Sequence, residues 1–295
     1  MTVTGPMLTG SWNGEELGAC TDCRRLWGLH RADEITLEQV EEAGNFLMPS
    51  AGTCQVMGTA STMALMAEAI GMMLPGGATI PAVHADRLRH CEDSGTRAVE
   101  LARLSIDAEA GGSQQAAAIA PTQLMTQKAL ENALRVLLAV GGSTNGLVHI
   151  AAIAGRLGLK VDLDQFDRMG RETPVLVDLK PTGVGYMEDF HKAGGIAPVL
   201  RGLRELDLLH LDCPTVSGMT LGEAIDSLPP AFEQSIVRPI GDPVFEGGSI
   251  AVLRGNLCDS AIVKQSASTE PRLLQHTGRA VVFDGLVRAF PPLLR

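Results

Sequence analysis

The sequence predicts an α/β chain: a layered α/β region over residues 1–210, followed by the start of a β-barrel-like region over residues 211–295. Three observations carry this. Apolar residues recur at helical spacing across the first half, with capping residues at the right offsets. TPVLVDLKP (173–181) is a short β-type run bounded by prolines. From about Thr215 the texture changes to short Val- and Ile-rich runs, SIAVLRGNL, SAIVKQSA and RAVVFD, separated by Gly, Asp and Ser.

In chain order, residues 1–30 read as Gly-rich and irregular. EITLEQVEEAGNFLM (34–48) is helical, with Thr36 as N-cap and Gln39 three residues on in a capping-box pattern, stopped by Pro49. A longer helix is expected from Thr59 to Leu74, ended by Pro75-Gly76-Gly77, and another from Thr126 to Val140. Gly141-Gly142 breaks the chain, Ser143 or Thr144 can cap, and a third helix covers about Asn145 to Leu157. Helical stretches follow around Tyr186–Ala193 and, after Gly194-Gly195, up to Leu206. GGSQQAAAIA (111–120) reads as a surface loop, and the boundary between the two regions falls near 207–215.

Composition narrows the function. The chain has 295 residues, a net charge of −10 and only 3% aromatic residues, so its core rests on Leu, Val, Ile, Ala and Met. No basic cluster is present to meet nucleic-acid phosphates. No apolar run reaches the ~20 residues that cross a bilayer, and MTVTGPMLTG lacks the pattern of a signal peptide. The expectation is a cytoplasmic chain with no nucleic-acid or membrane partner. Six scattered cysteines in a chain of this length do not form a disulfide framework.

Cys54 stands out, set among small residues in SAGTCQVMGTASTM ahead of a helix. Small neighbours let a bulky group approach, and helix-end amides favour an anion, a thiolate or the sulfides of an iron–sulfur cluster. The thiol is then expected to titrate below the ordinary ~8.5. A small buried hydrophobe is the other reading. Cys20-Thr-Asp-Cys23 is a lone CxxC without a second pair at zinc-ribbon distance, and Cys91, Cys213 and Cys258 read as packing residues. GGSTNGLVH (141–149) makes Ser143, Thr144 and Asn145 candidates for binding an oxyanion or a polyol, although a plain helix cap explains Ser143 and Thr144 equally. Glu188 and His191 in YMEDFH sit at i and i+3, so both could face one site, or be solvated charges.

Four stretches occur in order: GTCQVMGTASTMALMAEAIGMMLPGGATIPA, VGGSTNGLVHIAAIAGRLGL, LKPTGVGYMEDFHKAGGI and GGSIAVLRGNL. Together they resemble the dihydroxy-acid dehydratase / 6-phosphogluconate dehydratase family, from about Gly5 to Phe283, and GTC…MGTASTM looks nearer its sugar-acid branch. The resemblance implies a hydro-lyase that turns a 2,3-dihydroxy acid, branched-chain or sugar-derived, into a 2-keto acid through an enol. It implies that Cys54 is one of three thiolates holding an iron–sulfur cluster (2Fe-2S or 4Fe-4S), and that Mg²⁺ polarises the substrate. It also implies a serine alkoxide as base and a homo-oligomer, dimer or tetramer. The other two cysteines and a Cys-Asp-Lys magnesium motif lie upstream of the segment matching GPMLTG (5–10), and the serine lies beyond FPPLLR (290–295). Cys20 and Cys23 match neither missing ligand. The expectation is therefore an internal fragment with an incomplete N-terminal domain, inactive and without its metal groups when alone. The alternative is a catalytically dead binding or scaffold remnant that pairs with an intact homologue.

Overall fold

The computed structural model describes residues 5–109, 120–265, 275–279 and 281–283. Its first feature is a hairpin, β1 (Gly10–Trp12) paired antiparallel with β2 (Glu15–Leu17). Asn13 and Gly14 make the turn, both at positive φ (52° and 83°), as a two-residue hairpin turn requires. Helix α1 (Ala19–Arg31) follows, with Asp22 in its first turn and His30 and Arg31 in its last. The expectation of irregular chain over 1–30 is thus corrected. The Asn-Gly pair was a local signal for the hairpin, and Gly18 and Gly28 flank and interrupt a helix that folds nonetheless.

Helix α2 (Leu37–Gly44) starts at Thr36, where the predicted capping box with Gln39 forms in both directions. Helix α3 (Thr59–Ala69) is shorter than the expected 59–74. Gly71 adopts φ 87°, and a Cβ there would lie 2.8 Å from Pro214 O, so the chain turns away beneath the 214–215 segment. Helix α4 (Ala85–Glu109) was not expected at all; it is polar with scattered apolar residues that remain exposed. The predicted loop over 111–120 lies, but for Ala120, outside the described residues.

After the short α5 (Pro121–Leu124), α6 (Gln127–Ala139) forms within the expected 126–140, with Thr126 as its N-cap rather than its first residue, and α7 (Thr144–Arg156) is capped by Ser143, one of the two residues the sequence offers. The unpredicted α8 (Leu163–Glu172) starts at Asp162, whose carboxylate accepts from the amides of Asp164 and Gln165. Helices α9 (Met187–Lys192), α10 (Ile196–Glu205) and α11 (Leu221–Ser227) are the last helices among the described residues.

The core gathers around α3 and α6, whose buried Leu65, Met66, Leu137 and Leu138 meet Leu147 and Ile150 of α7. Gly142 lets α7 begin there: a Cβ would stand 2.7 Å from Leu137 Cδ1 and 2.9 Å from Thr62 Cγ2. Sheet structure among the described residues is small. The 173–181 run is extended, but it makes only isolated bridges, from Val175 to Phe245, Val177 to Val237 and Leu179 to Gly185. Its proline-rich partners cannot continue a ladder. No barrel is present among the described residues. SIAVLRGNL and SAIVKQSA contribute the hairpin β3 (Ile250–Leu253) with β4 (Ala261–Lys264). RAVVFD lies partly outside the described residues, and its described part is not in a strand.

Candidate functional site

The loop that carries Cys54 is fixed on three sides by backbone hydrogen bonds. Thr53 pairs with the chain's first described residues: its amide donates to Gly5 O, and its carbonyl accepts from Met7 N, each at 2.9 Å. Gln55 O accepts from Met187 N at 2.8 Å, at the start of α9, and Met57 N donates to Lys180 O at 3.0 Å. Cys54 is therefore held half-buried between residues 5–7, α9 and the end of the 173–181 run.

The thiol does not behave as the helix argument expects. Burial pushes it up, above the ordinary cysteine range, while the amides of Val56 and Cys20 pull the other way. The helix that offers an amide is α1, through Cys20 in its first turn, not α3. Cys20, which the sequence reading sets aside, is brought against Cys54, thiol to thiol. Nothing local could reveal this, because 33 residues separate them. Cys91 and Cys258, read as packing residues, are exposed; Cys213 is buried, as expected.

Beside this pair lies a buried polar network. Asp22 Oδ2 accepts from Gly18 N at 2.7 Å and from the Tyr186 hydroxyl at 2.9 Å, and Oδ1 accepts from Arg25 Nε at 3.1 Å. Lys180 Nζ donates to the Tyr186 oxygen at 2.5 Å and lies 3.7 Å from Asp22 Oδ2. Burial alone would raise the Asp22 carboxyl; the three hydrogen bonds and Lys180 outweigh it and hold it below its usual range. Tyr186, buried beside that carboxylate, is pushed well above the ordinary phenol range and stays protonated.

Ser143, Thr144 and Asn145 lie where the N-termini of α3 and α7 converge. The Ser143 hydroxyl is 3.0 Å from Thr59 Oγ1, to which Asn145 Nδ2 donates at 3.1 Å. Ser143 N donates to Thr62 Oγ1 at 3.0 Å. Gly58, the N-cap of α3, has no side chain to cap that helix. Lys264 of β4 donates to Gly141 O at 2.6 Å; burial lowers its ammonium pKa. The cluster thus offers hydroxyls, an amide, two helix ends and one cation. The sequence contained Thr59 and Lys264 but nothing to pair the first with Ser143 or the second with Gly141. Glu188 and His191 do not share a site. Glu188 accepts from Thr9 N at 2.8 Å and pairs with Lys192 at 2.8 Å, whereas His191 faces Thr79 and His84.

The N-terminal profile of the dihydroxy-acid/6-phosphogluconate dehydratase family matches residues 1–224, and its C-terminal profile matches residues 235–292. The chain belongs to this dehydratase family. It is 39% identical over 281 residues to a dihydroxy-acid dehydratase from Syntrophobacter fumaroxidans, an alignment covering 95% of this chain and 48% of that protein. It is 40% identical over 282 residues to an L-arabinonate dehydratase from Rhizobium leguminosarum bv. trifolii, covering 96% of this chain and 46% of that protein. It is 37% identical over 283 residues to a 6-deoxy-6-sulfo-D-gluconate dehydratase from Pseudomonas putida, covering 95% of this chain and 46% of that protein. The chain spans about half the length of the curated relatives it matches. Cys54 and the 143–145 cluster fall in the family's N-terminal match and Lys264 in its C-terminal match, so the Lys264–Gly141 bond joins the segments that the two profiles match.

Proposed function

We propose that this chain is the acid-binding part of a hydro-lyase that dehydrates a 2,3-dihydroxy acid, either a sugar acid or a branched-chain acid, to a 2-keto acid. The observation that carries the reading is the convergence of the α3 and α7 N-termini, with Thr59, Ser143 and Asn145 within hydrogen-bond reach of one another. Helix N-termini favour a carboxylate. Lys264 adds positive charge beside them, and the Thr59 and Ser143 hydroxyls and the Asn145 amide suit the hydroxyls of a polyol. The reaction removes a proton from C2 and hydroxide from C3; the resulting enol tautomerises to the keto acid, with water as the other product. Among the described residues none is assigned as the base.

The residues at the Cys54 loop fit an iron–sulfur cluster in donor chemistry: a half-buried thiol, the Val56 and Cys20 amides near enough to favour its thiolate, and a second thiol in Cys20. Cys54 would be the ligand, and the cluster would supply a Lewis-acidic iron that eases loss of hydroxide. Magnesium finds no such set here. Both oxygens of Asp22, the neighbouring carboxylate, are already taken by Gly18, Tyr186 and Arg25, and no step is derived through that ion.

Calorimetric titration of the 295-residue chain with L-arabinonate, and with neutral L-arabinose as the control, tests the reading. The acid should bind and the sugar should not, and Asn145→Ala should weaken the acid by about 10-fold. Equal binding of acid and sugar, or none of the acid, would sink it. The resemblance implies three thiolates, and the loop offers Cys54 with Cys20 beside it. The isolated chain should therefore form no 2-keto acid above a no-enzyme control after anaerobic treatment with iron and sulfide.

A further inference from the structure

We propose that His84, Asp86 and His191 form a binding site for one divalent transition-metal ion of the zinc, cobalt or nickel type. The site is separate from the Cys54 loop and the 143–145 cluster. His84 and Asp86 lie at the entry to α4, and His191 lies in the last turn of α9. One donor atom from each falls within 4.8 Å of the other two. His84 Nδ1 and Asp86 Oδ2 are 3.3 Å apart. Two donors, each about 2.1 Å from a tetrahedral ion, stand roughly 3.4 Å apart, so this edge already has the spacing of a ligand pair. The two imidazoles meet edge to face, with ring centroids 5.4 Å apart, and both border the same space.

The surroundings orient the donors. The Thr79 hydroxyl stands 3.4 Å from His191 Nδ1, the type of outer contact that fixes a ligating imidazole. Thr79 is itself backed by Gly195, where a Cβ would lie 2.4 Å from its Oγ1. Arg89 pairs with Asp86 Oδ1, which leaves Oδ2 turned toward His84. Arg87 directs its guanidinium away, to Gly77 O at 2.8 Å and Ile80 O at 2.6 Å. The Asp86 amide, 3.3 Å from His84 Nδ1, is the one contact an ion on that nitrogen would displace.

Two imidazoles and one carboxylate select borderline divalent metals over magnesium or calcium, which prefer all-oxygen sets. His84 is exposed and Asp86 and His191 are partly so, which leaves the remaining coordination positions to water. An ion held here would tie the entry of α4 to the end of α9, two elements joined by no other ion pair among the described residues.

Equilibrium dialysis of the full chain against Co²⁺, followed by visible absorption, tests the proposal. The expected result is one saturable Co²⁺ per chain, with d–d bands and no cobalt–thiolate charge-transfer band. His84→Ala and His191→Ala should each weaken binding by about 100-fold or more, and Thr79→Val by about 10-fold. A Cys20→Ser, Cys54→Ser chain should bind as the parent does. His84 is exposed, so its variant should keep the parent's circular dichroism and give a second reading if His191→Ala fails to fold. A thiolate band that carries the uptake, unchanged affinity in the His84 variant, or no saturable uptake by the parent would each overturn the site.

Discussion

Helices α3 and α4 follow one another along the chain and are built on opposite terms. Of the eleven residues of α3, eight are buried, so it is enclosed on nearly every side and packs against α6 and α7. Of the 25 residues of α4, three with large apolar side chains, Leu88, Val99 and Ile106, stay more than half exposed. The helix that organises the site draws its stability from tertiary contact. The longer one draws it from its own hydrogen bonds and from a few anchors, notably Arg87 near its start, Arg97 midway, bonded to Val216 O, and, in the proposed metal site, Asp86. A buried helix fixes the loop and helix ends around it; an exposed one can change sequence freely.

The largest test of this contrast is truncation on each helix. Leu65→Ala in α3, where the side chain is 0% exposed, should cost about 2–5 kcal/mol in urea unfolding. Leu88→Ala in α4, 74% exposed, should stay within about 0.5 kcal/mol. Equal costs would break the comparison.

A second test is the one carboxylate that α3 buries. Glu68 accepts from Gly76 N at 2.6 Å and Ala78 N at 2.9 Å, yet burial pushes its carboxyl up from 4.5 to about 7. The folded state then holds the proton more tightly than the unfolded state does. Glu68 therefore contributes most stability at low pH and loses it as pH rises from about 4.5 to about 7, by about 3 kcal/mol. The stability difference between the parent and Glu68→Gln should fall by that amount across this window. A difference that is flat, or that rises with pH, would show that the two amides and Arg87 offset burial.

The smallest effect is kinetic and compares a thiol ahead of α3 with one on α4. Cys91 is exposed, whereas Cys54 is half-buried with its thiol pushed up. Timed alkylation at neutral pH, resolved by mass spectrometry, should modify Cys91 about 10-fold faster than Cys54, with buried Cys213 slower still. Cys54 reacting as fast as Cys91 would restore the activated-thiolate expectation.

Much of this was legible in the sequence where a signal is local. Thr36 with Gln39, and Ser143 or Thr144, announced helix starts, because a cap and the amide it satisfies lie within three residues. The Asn13-Gly14 turn was equally local and was passed over in a Gly-rich stretch. Helices α4 and α8 leave little periodic signal because charged residues dilute the apolar period, and Val- and Ile-rich runs do not state their partners, so of the expected barrel only the β3–β4 hairpin is seen among the described residues. The family, and Cys54 as its marker, came from motif order along the chain.

The sequence by itself determined these caps, the family and the residue types available for chemistry. Only the tertiary structure decided which residues meet: Cys20 with Cys54, Thr59 with Ser143, Lys264 with Gly141, and His84 and Asp86 with His191. The physical reason is range. Backbone preference and capping act over one or two turns of chain, whereas a site is assembled when buried helices pack. That packing sets the distance between side chains tens of residues apart, on which no local pattern bears.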